Sequence, residues 1–363
     1  MGKAARGRCV GELSLLPLSE AKADRQCLRT SEKRMLARAK VDPSTELGNE
    51  KDETMPDTPD DPFGFAPDYD SAVPYMQRTR DYYAAIGYTT PYRWAHYVDA
   101  PFQQLKKPLA QSRVTIITTA APYDPAKGDQ GPGAAYNGGA KFYQVYDGDT
   151  SKAHDLRISH IGYDRKHTSA TDSGTWFPLA LLLKAAAAGR IGAVAPRFFG
   201  APTNRSHRVT IDTDAPEILA RCRADQVDAA VLVPNCPVCH QTSALVARHL
   251  EANGIATVVM GCAKDIVEHA AVPRFLFSDF PLGNSAGRPH DSESQAQTLE
   301  LALRLLEAAP GARTTMQSPL GWSADAAWKL DYNNIAQMSP EELARRRAEF
   351  DRQKEIARGN RAA

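Results

Sequence analysis

The sequence predicts an α/β fold with a doubly wound, mostly parallel sheet and flanking helices. Two observations support this prediction. Short apolar runs of strand type alternate with helix-type segments along the second half of the chain, and residues 228–261 form a complete strand–helix–strand unit. The two strands of such a unit are expected to lie parallel, with a right-handed crossover through the helix.

Each element is predicted from its local pattern. Three predicted helices end at a glycine, the usual residue at a helix C-terminus, namely Gly87, Gly189 and Gly254. Predicted strands are short runs of apolar, often β-branched residues that end at a Pro, Asn or Gly turn. The predicted helices cover residues 75–86, 179–188, 242–253, 292–309 and 340–358, and the predicted strands cover residues 114–117, 155–160, 192–195, 229–233, 255–260 and 275–277.

Composition and charge exclude several classes of protein. The chain has 363 residues, of which 42% are hydrophobic and 24% are charged, so a sizeable core can be buried. The formal net charge of +1 gives no reason to expect nucleic acid or an anionic membrane as a partner. No apolar run is long enough to span a bilayer, and no phosphate-binding glycine motif follows a strand, so neither a membrane nor a nucleotide is predicted.

Three regions are predicted along the chain. Residues 1–61 are basic and then acidic and Pro-rich, without a sustained apolar period, and this pattern predicts a disordered N-terminal extension. Residues 62–330 are predicted to form the α/β domain, in one piece or as two α/β halves. Residues 331–363 are predicted to contain a highly charged C-terminal helix with a solvated face or an oligomer contact.

The pair Cys236 and Cys239 forms the strongest chemical motif. The pair follows a buried strand and lies at the start of the next helix, the edge of an open α/β sheet at which ligands bind. Unpaired N–H groups and the helix dipole stabilise a thiolate there, so Cys236 is the predicted nucleophile and Cys239 the thiol that closes the disulfide. A CxxC pair in a chain of this size indicates redox or metal chemistry in a reducing compartment, and the predicted location is the cytoplasm.

Other residues are candidates for the same edge. His240 either supplies a proton near the pair or is an exposed residue of the first helical turn. Cys262 ends the next strand and is either a third thiol of the site or a small buried residue. His160 follows another predicted strand, and the turn that contains Gly283 and Asn284 is expected to line the same edge.

A metal site is the alternative interpretation of the cysteine pair. Zinc needs two ligands beyond Cys236 and Cys239, and Cys262 and His240 are the residues that the sequence offers. A soft-metal-binding protein is therefore the second hypothesis, beside a thiol-dependent oxidoreductase.

Several motifs, taken in order and spacing, resemble one known family. From about residue 75 to residue 306 the chain resembles the selenoprotein B family of glycine, sarcosine, betaine and proline reductases, as a homologue that contains cysteine. The matching pieces are Lys107-Pro108-Leu109, Ser112-Arg113-Val114, Ser159-His160-Ile161-Gly162-Tyr163-Asp164, Ile191-Gly192-Ala193-Val194-Ala195-Pro196, Val231-Leu232-Val233-Pro234 with the cysteines after it, and Pro281-Leu282-Gly283-Asn284.

The resemblance implies a reductase that cleaves a carbon–nitrogen bond, or a related carbon–heteroatom bond, of a small molecule. It implies that Cys236 stands where the family has selenocysteine or cysteine, and that Cys239 is the second thiol. It also implies a substrate site near Asp164, Gly283 and Asn284, electrons from a dithiol such as thioredoxin, and a partner subunit or homo-oligomer. The chain departs from the family at Thr242, where some members carry a third cysteine, and it offers no candidate for the pyruvoyl group that a separate subunit bears in some members.

Overall fold

The computed structural model describes residues 71–203 and 206–362. The N-terminal extension that is predicted for residues 1–61 lies outside the described residues. Within the described part of the chain, no helix is both long enough and apolar enough to cross a membrane.

Ten strands are described, and eight of them form one sheet. The sheet order is β10-β9-β8-β7-β1-β6-β3, with the short β5 also paired to β1, while β2 and β4 form a separate two-stranded ribbon. The strands are β1 (Arg113–Thr118), β2 (Ala121–Pro122), β3 (Tyr146–Asp149), β4 (Leu156–Arg157), β5 (Ala193–Val194), β6 (Arg197–Gly200), β7 (Ala229–Val233), β8 (Ala256–Gly261), β9 (Arg274–Phe277) and β10 (Thr314–Gln317).

The sheet is parallel except for β3, which pairs antiparallel with β6 at one edge. Its five central strands are β6, β1, β7, β8 and β9. Taken in chain order, β1 is the first of these and β6 the second, so the spatial order is 2-1-3-4-5, one of the two common orders of doubly wound sheets. The chain reverses its direction of travel across the sheet between β1 and β7. That place is the topological switch point, where ligands bind in such folds.

The helices cover both faces of the sheet. They are α1 (Tyr75–Ala85), α2 (Leu179–Ala187), α3 (His207–Val209), α4 (Ala215–Ala224), α5 (Pro237–Ala252), α6 (Lys264–His269), α7 (Ser292–Ala308) and α8 (Pro340–Ala362), with a π-helical segment, Thr210–Asp214, between α3 and α4. Five of these helices match the predicted ones closely. The start of α5 differs, since it begins at Pro237 instead of residue 242.

An apolar core lies on each face of the sheet, and alternate residues of one strand pack into the two cores. In β7, Val231 and Val233 pack into the core under α2 and α7, whereas Ala230 and Leu232 pack into the core under α4, α5 and α6. All five residues of β7 are buried, as expected for a central parallel strand, and each branched side chain that is fully buried contributes about 1.5–3 kcal/mol. The predicted doubly wound architecture is therefore confirmed.

A third apolar cluster covers the carboxyl end of the sheet near β8. It joins the segment before and within α1, which contributes Val73 and Tyr75, to Trp328 and Tyr332 of the segment before α8. The rings of Tyr75 and Tyr332 are in edge contact at 5.0 Å between centroids. We call these two segments, residues 71–76 and 327–332, the cap.

One strand prediction is wrong in extent. Residues 155–160 are predicted as a strand, but only Leu156 and Arg157 are paired, in the two-stranded ribbon with β2. His160 therefore does not end a strand of the main sheet. It lies in an irregular segment after β4.

Candidate active site

Cys236 lies three residues beyond the end of β7 and caps the helix α5. Its backbone is extended (φ −134°, ψ 170°), Pro237 takes the first helical position, and the Sγ of Cys236 accepts the backbone N–H of Cys239 at 3.2 Å. Proline is favoured at that position because its fixed φ suits a helix and the missing N–H has no partner there in any case. The Cys-Pro sequence thus determines where the helix begins, and it places both cysteines in its first turn.

Cys236 and Cys239 are joined by a disulfide, with their Cα atoms 4.8 Å apart. Cys239 is fully buried, whereas 5% of Cys236 is exposed. Of the two residues, Cys236 is therefore the more exposed.

Residues after β1 and β7 meet at the switch point. Asn235 donates its side-chain Nδ2–H to Thr119 Oγ1 at 3.2 Å, which ties the segment after β7 to the segment after β1. Both residues are fully buried, and Asn235 Oδ1 has no hydrogen-bond partner among the described residues. A buried acceptor without a partner is costly, so it marks a place where a water or ligand would be stabilised.

His160 lies next to the cysteine pair. A ring nitrogen of His160 and the two sulfurs all lie within 4.8 Å of one another. Its Nε2 lies 2.7 Å from the carbonyl oxygen of Thr119, so Nε2 carries the proton and donates it, and Nδ1 lies 3.2 Å from Thr203 Oγ1. Complete burial lowers the pKa of His160 to about 4, so the ring is neutral at physiological pH.

His240 is not the exposed first-turn residue that one interpretation of the sequence expects. It is fully buried, its Nδ1–H donates to the carbonyl oxygen of Cys236 at 2.8 Å, and its Nε2 accepts the backbone N–H of Cys262 at 2.9 Å. Burial lowers its pKa to about 4. Because the ring sits one helical turn after Cys236, on the inward face of α5, both of its nitrogens bind backbone groups at the ends of β7 and β8.

Cys262 follows β8 and is buried as a free thiol. Its Sγ lies 3.8 Å from Ser285 Oγ, and the Ser285 hydroxyl in turn donates to the carbonyl oxygen of Pro234 at 2.6 Å. Burial raises the pKa of the Cys262 thiol to about 12. Among the described residues, the close cluster of ligand atoms contains His160 together with Cys236 and Cys239, and Cys262 is not one of its members.

Asp164 is a buried carboxylate in the segment that carries His160. Its Oδ1 accepts the backbone N–H groups of Lys166 and His167, and its Oδ2 has no hydrogen-bond partner among the described residues. Burial is the main cause that raises the pKa of Asp164, and the neighbouring Asp331 acts in the same direction.

Gly283 and Asn284 form a tight turn that packs on the same segment. Gly283 has a φ of +114°, and a Cβ there would lie 2.8 Å from Thr168 Cγ2, so only glycine fits. Asn284 Nδ2 donates to Thr168 Oγ1 at 2.7 Å and to the carbonyl oxygen of Pro281 at 3.0 Å. The turn therefore holds the end of the loop that carries His160 and Asp164.

The cap reaches the cysteine pair through Gly162. Tyr332 donates its hydroxyl to the carbonyl oxygen of Gly162 at 2.9 Å, and a Cβ on Gly162 would lie 3.1 Å from Pro237 Cδ and 3.8 Å from Cys236 Cβ. Neither Tyr332 nor Tyr75 is indicated by any motif in the sequence. Thr119 and Asn235 follow predicted strands, so the strand-end rule that selects Cys236 would also have found them.

Two cavities differ in their relation to this site. A small cavity of about 10 Å³, the size of one water, is lined by Gln130, Ser159, Tyr163 and Arg165 and adjoins the His160 segment. A larger cavity of about 500 Å³ has aromatic walls from Tyr83, Tyr88, Tyr92 and Phe350, and none of the predicted site residues line it. The predicted site residues and the larger of these two cavities are therefore in different places.

Comparison with known proteins supports the resemblance found in the sequence. The chain is 28% identical over 183 residues to D-proline reductase subunit gamma of Acetoanaerobium sticklandii. The match covers 50% of this chain and 75% of that protein.

The chain is related to a proline reductase subunit. No family model matches the chain, and no solved structure matches it.

Proposed function

We propose that this protein is a thiol-dependent oxidoreductase that reductively cleaves a carbon–nitrogen bond, or a related carbon–heteroatom bond, of a small molecule. The single observation that carries the proposal is the Cys236–Cys239 disulfide at the helix start beside the switch point. The relation to a protein named as a reductase subunit supports the same class of reaction.

The two sulfurs have different roles in this proposal. Cys236 is the nucleophile because it is the more exposed residue of the pair and because it lies at the helix N-terminus, where a thiolate is stabilised. Its thiolate attacks the substrate carbon and forms a C–S bond. The C–N bond breaks, and the nitrogen leaves with its electron pair and takes up a proton.

Cys239 then completes the reduction. Its thiolate attacks the sulfur of Cys236, the S–S bond forms, the C–S bond breaks, and the carbon takes up a proton. The substrate gains two electrons and the two cysteines lose them. This step needs a carbon that holds an electron pair transiently, such as one beside a carboxylate or a carbonyl group. A dithiol such as thioredoxin restores the pair and leaves as a disulfide.

The other site residues support this chemistry in distinct ways. His160 is neutral and near both sulfurs, so it is proposed to move the proton between a thiol and the leaving nitrogen. His240 is proposed as a positioning residue, since its ring binds the backbone on either side of the site. We place four residues on the substrate side of the site, namely Cys262, Asp164, Gly283 and Asn284. Among them, the buried Oδ2 of Asp164 has no hydrogen-bond partner among the described residues, so it can accept a hydrogen bond from a cationic substrate.

The relative is by name a subunit, so we propose that this chain also works with a partner subunit or as a homo-oligomer, in the cytoplasm. Substrate access to Cys236 requires a movement of the residues that pack against it, because Cys236 is almost completely buried.

Thiol titration tests the redox couple directly. Free thiols are counted in the reduced protein before and after a mild oxidant, for the native chain and for Cys236→Ser and Cys239→Ser, with Cys262→Ser as a matched control. The native chain and the control are expected to lose two thiols together and to regain them with a dithiol. If the native chain loses no pair of thiols, the mechanism is wrong.

Turnover is tested next. The reduced protein and a dithiol are incubated with D-proline and a panel of small amines. Mass spectrometry seeks substrate plus two hydrogen atoms for a cyclic amine, whose ring opens, and the two cleaved fragments for an acyclic amine. Cys236→Ser is expected to abolish product formation. Product from Cys236→Ser at the native rate would show that Cys236 is not the nucleophile.

A further inference from the structure

The cysteine pair and a neighbouring histidine together form a set of three potential ligands for a soft metal ion. His160, Cys236 and Cys239 are the one group of at least three close donors found among the described residues, and all three are buried. We propose that the reduced protein binds one Zn²⁺ through the thiolates of Cys236 and Cys239 and the ring of His160, with a fourth position left open.

The distances suit this ion after a small movement. At zinc–sulfur and zinc–nitrogen bond lengths of about 2.3 and 2.0 Å, tetrahedral ligand atoms lie about 3.5–3.8 Å apart. The three donors already lie within 4.8 Å of one another. Reduction frees the two sulfurs to separate, and a movement of about 1 Å of the ring then completes the set.

His160 has the support that a metal-binding histidine needs. A ligating imidazole usually donates its other N–H to a carbonyl oxygen or a carboxylate, which fixes the tautomer and the ring orientation. His160 Nε2 donates to the carbonyl oxygen of Thr119 in this way and leaves the lone pair on Nδ1. Nδ1 has one long contact, of 3.2 Å, to Thr203 Oγ1, and the metal would displace it.

Two further groups favour the charged ligands and the open position. The backbone N–H of Cys239 already points at the sulfur of Cys236, so it would stabilise a metal-bound thiolate there. Asn235 is fully buried and hydrogen-bonded to Thr119, and its Oδ1 has no partner among the described residues, so it can accept a hydrogen bond from a water at the fourth position. Three protein ligands of type Cys₂His with an open position are the pattern of catalytic rather than structural zinc sites.

The donor set differs from the one that sequence spacing suggests. His240 cannot bind the ion without losing one of its hydrogen bonds to backbone groups, since Nδ1 is engaged with the carbonyl oxygen of Cys236 and Nε2 with the N–H of Cys262, and Cys262 is outside the cluster. Thiolate and imidazole donors favour zinc over magnesium or calcium, which prefer oxygen ligands.

Metal binding is controlled by the redox state of the pair. A dithiol reduces the disulfide to two thiols and becomes a disulfide itself. One Zn²⁺ then binds two thiolates, and two protons are released. When a small-molecule disulfide takes up two electrons from the two thiolates and leaves as two thiols, the disulfide of Cys236 and Cys239 forms again and the ion is expelled. In the zinc-bound form the sulfur lone pairs are engaged, so zinc suppresses the reactivity of Cys236.

Cobalt titration tests the site without any need for turnover. The protein is reduced with a phosphine, freed of reductant under inert gas, and titrated with Co²⁺, whose thiolate charge-transfer and d–d bands report tetrahedral sulfur ligation. We expect one Co²⁺ per chain, displacement by one Zn²⁺, and no binding to the oxidised protein. Equimolar Zn²⁺ is expected to slow alkylation of Cys236 at least about tenfold.

Variants separate the proposed ligands from their neighbours. His160→Ala and Cys236→Ser are expected to weaken binding at least about tenfold, whereas Cys222→Ser, at a buried free cysteine outside the cluster, keeps the native affinity. Circular dichroism and the urea midpoint establish that each variant is folded, and His160→Gln, which is similar in size and polar but offers no imidazole, serves if His160→Ala fails to fold. The absence of bands, unchanged affinity in the folded His160 variant, or equal binding by the oxidised protein would overturn the proposal. If the protein reduces amines but binds no cobalt, the metal site alone is wrong, and the reverse result rejects only the reductase function.

Discussion

His240 connects the ends of two neighbouring strands through Cys236, because its ring donates to the carbonyl oxygen of Cys236 at 2.8 Å and accepts the N–H of Cys262 at 2.9 Å. The ring is fully buried and has no room on the side of β8, where Gly261 lies against it. The position of the nucleophile proposed above thus depends on a side chain that does not face the sulfurs.

Gly261→Ala is expected to destabilise the protein by about 1–3 kcal/mol, because an added Cβ would lie 2.7 Å from His240 Cδ2 and 2.8 Å from its Nε2. The ring cannot move away without losing two buried hydrogen bonds. Urea unfolding measures the loss. Gly311→Ala is the matched control, since no atom lies within 4 Å of its added Cβ, and it is expected to change stability by less than about 0.5 kcal/mol. Equal effects of the two substitutions would contradict the packing argument.

Alkylation is expected to distinguish the four cysteines of the described region. Burial raises the pKa of both Cys222 and Cys262 to about 12, so almost no thiolate is present at pH 8 and neither sulfur is accessible. In the reduced, metal-free protein, iodoacetamide should therefore label Cys236 first, and Cys222 and Cys262 only after unfolding in urea. Peptide mapping by mass spectrometry gives the order, and early labelling of Cys262 in the folded protein would refute it.

The ion pair between Glu251 and Arg274 is almost completely buried, with an N–O distance of 2.7 Å. Glu251→Gln is expected to cost about 3–5 kcal/mol, because it leaves a buried guanidinium without a counter-charge. The double variant Glu251→Leu, Arg274→Met should be more stable than this single variant, since neither charge remains.

The matched control for this pair is Arg352, which bonds Glu349 on α8 with 65% of its side chain exposed. Arg352→Ala is expected to change the free energy of unfolding by less than about 1 kcal/mol. If Glu251→Gln lowers the free energy of unfolding by no more than Arg352→Ala does, burial does not determine how much these ion pairs contribute to stability.

We predict that the stability of the protein depends on pH through Asp265, whose carboxylate contacts the cap. Its carboxylate accepts the backbone N–H of Met76 at 2.7 Å, and burial raises its pKa from the ordinary 3.8 to about 6. Between pH 4 and pH 6 the folded state therefore binds more protons than the unfolded state, and the contribution of Asp265 to stability falls as the pH rises. The loss is nearly complete one pH unit above this pKa, near pH 7, and amounts to about 3 kcal/mol.

Asp265→Asn removes this titration and keeps one acceptor for Met76. The stability of Asp265→Asn relative to the native chain should therefore increase from pH 4 to pH 7, as measured by urea unfolding at each pH. A difference that is constant across this range would show that Asp265 does not titrate there.

Much of the sheet was predictable from the sequence because its strands are locally distinctive. β7 and β8 are short buried runs of small and β-branched residues between turn residues, and the predicted bounds differ from the observed ones by one residue at most. β6 and β10 were not predicted. Both are only four residues long, and β10 is half-exposed at the sheet edge, so neither has the long apolar run that marks a central strand.

The sequence by itself determined that two cysteines stand at the start of a helix just after a buried strand, because Pro237 and the apolar run before it act over a few residues. Only the tertiary structure decided which groups surround the sulfurs. His160 reaches them through a hydrogen bond to Thr119, 41 residues away, and the cap reaches them through Tyr332 and Gly162, 170 residues apart. Such contacts form only when the loops fold over the completed sheet edge. They join residues that are far apart in the sequence, so no local hydrophobic pattern or residue spacing predicts them.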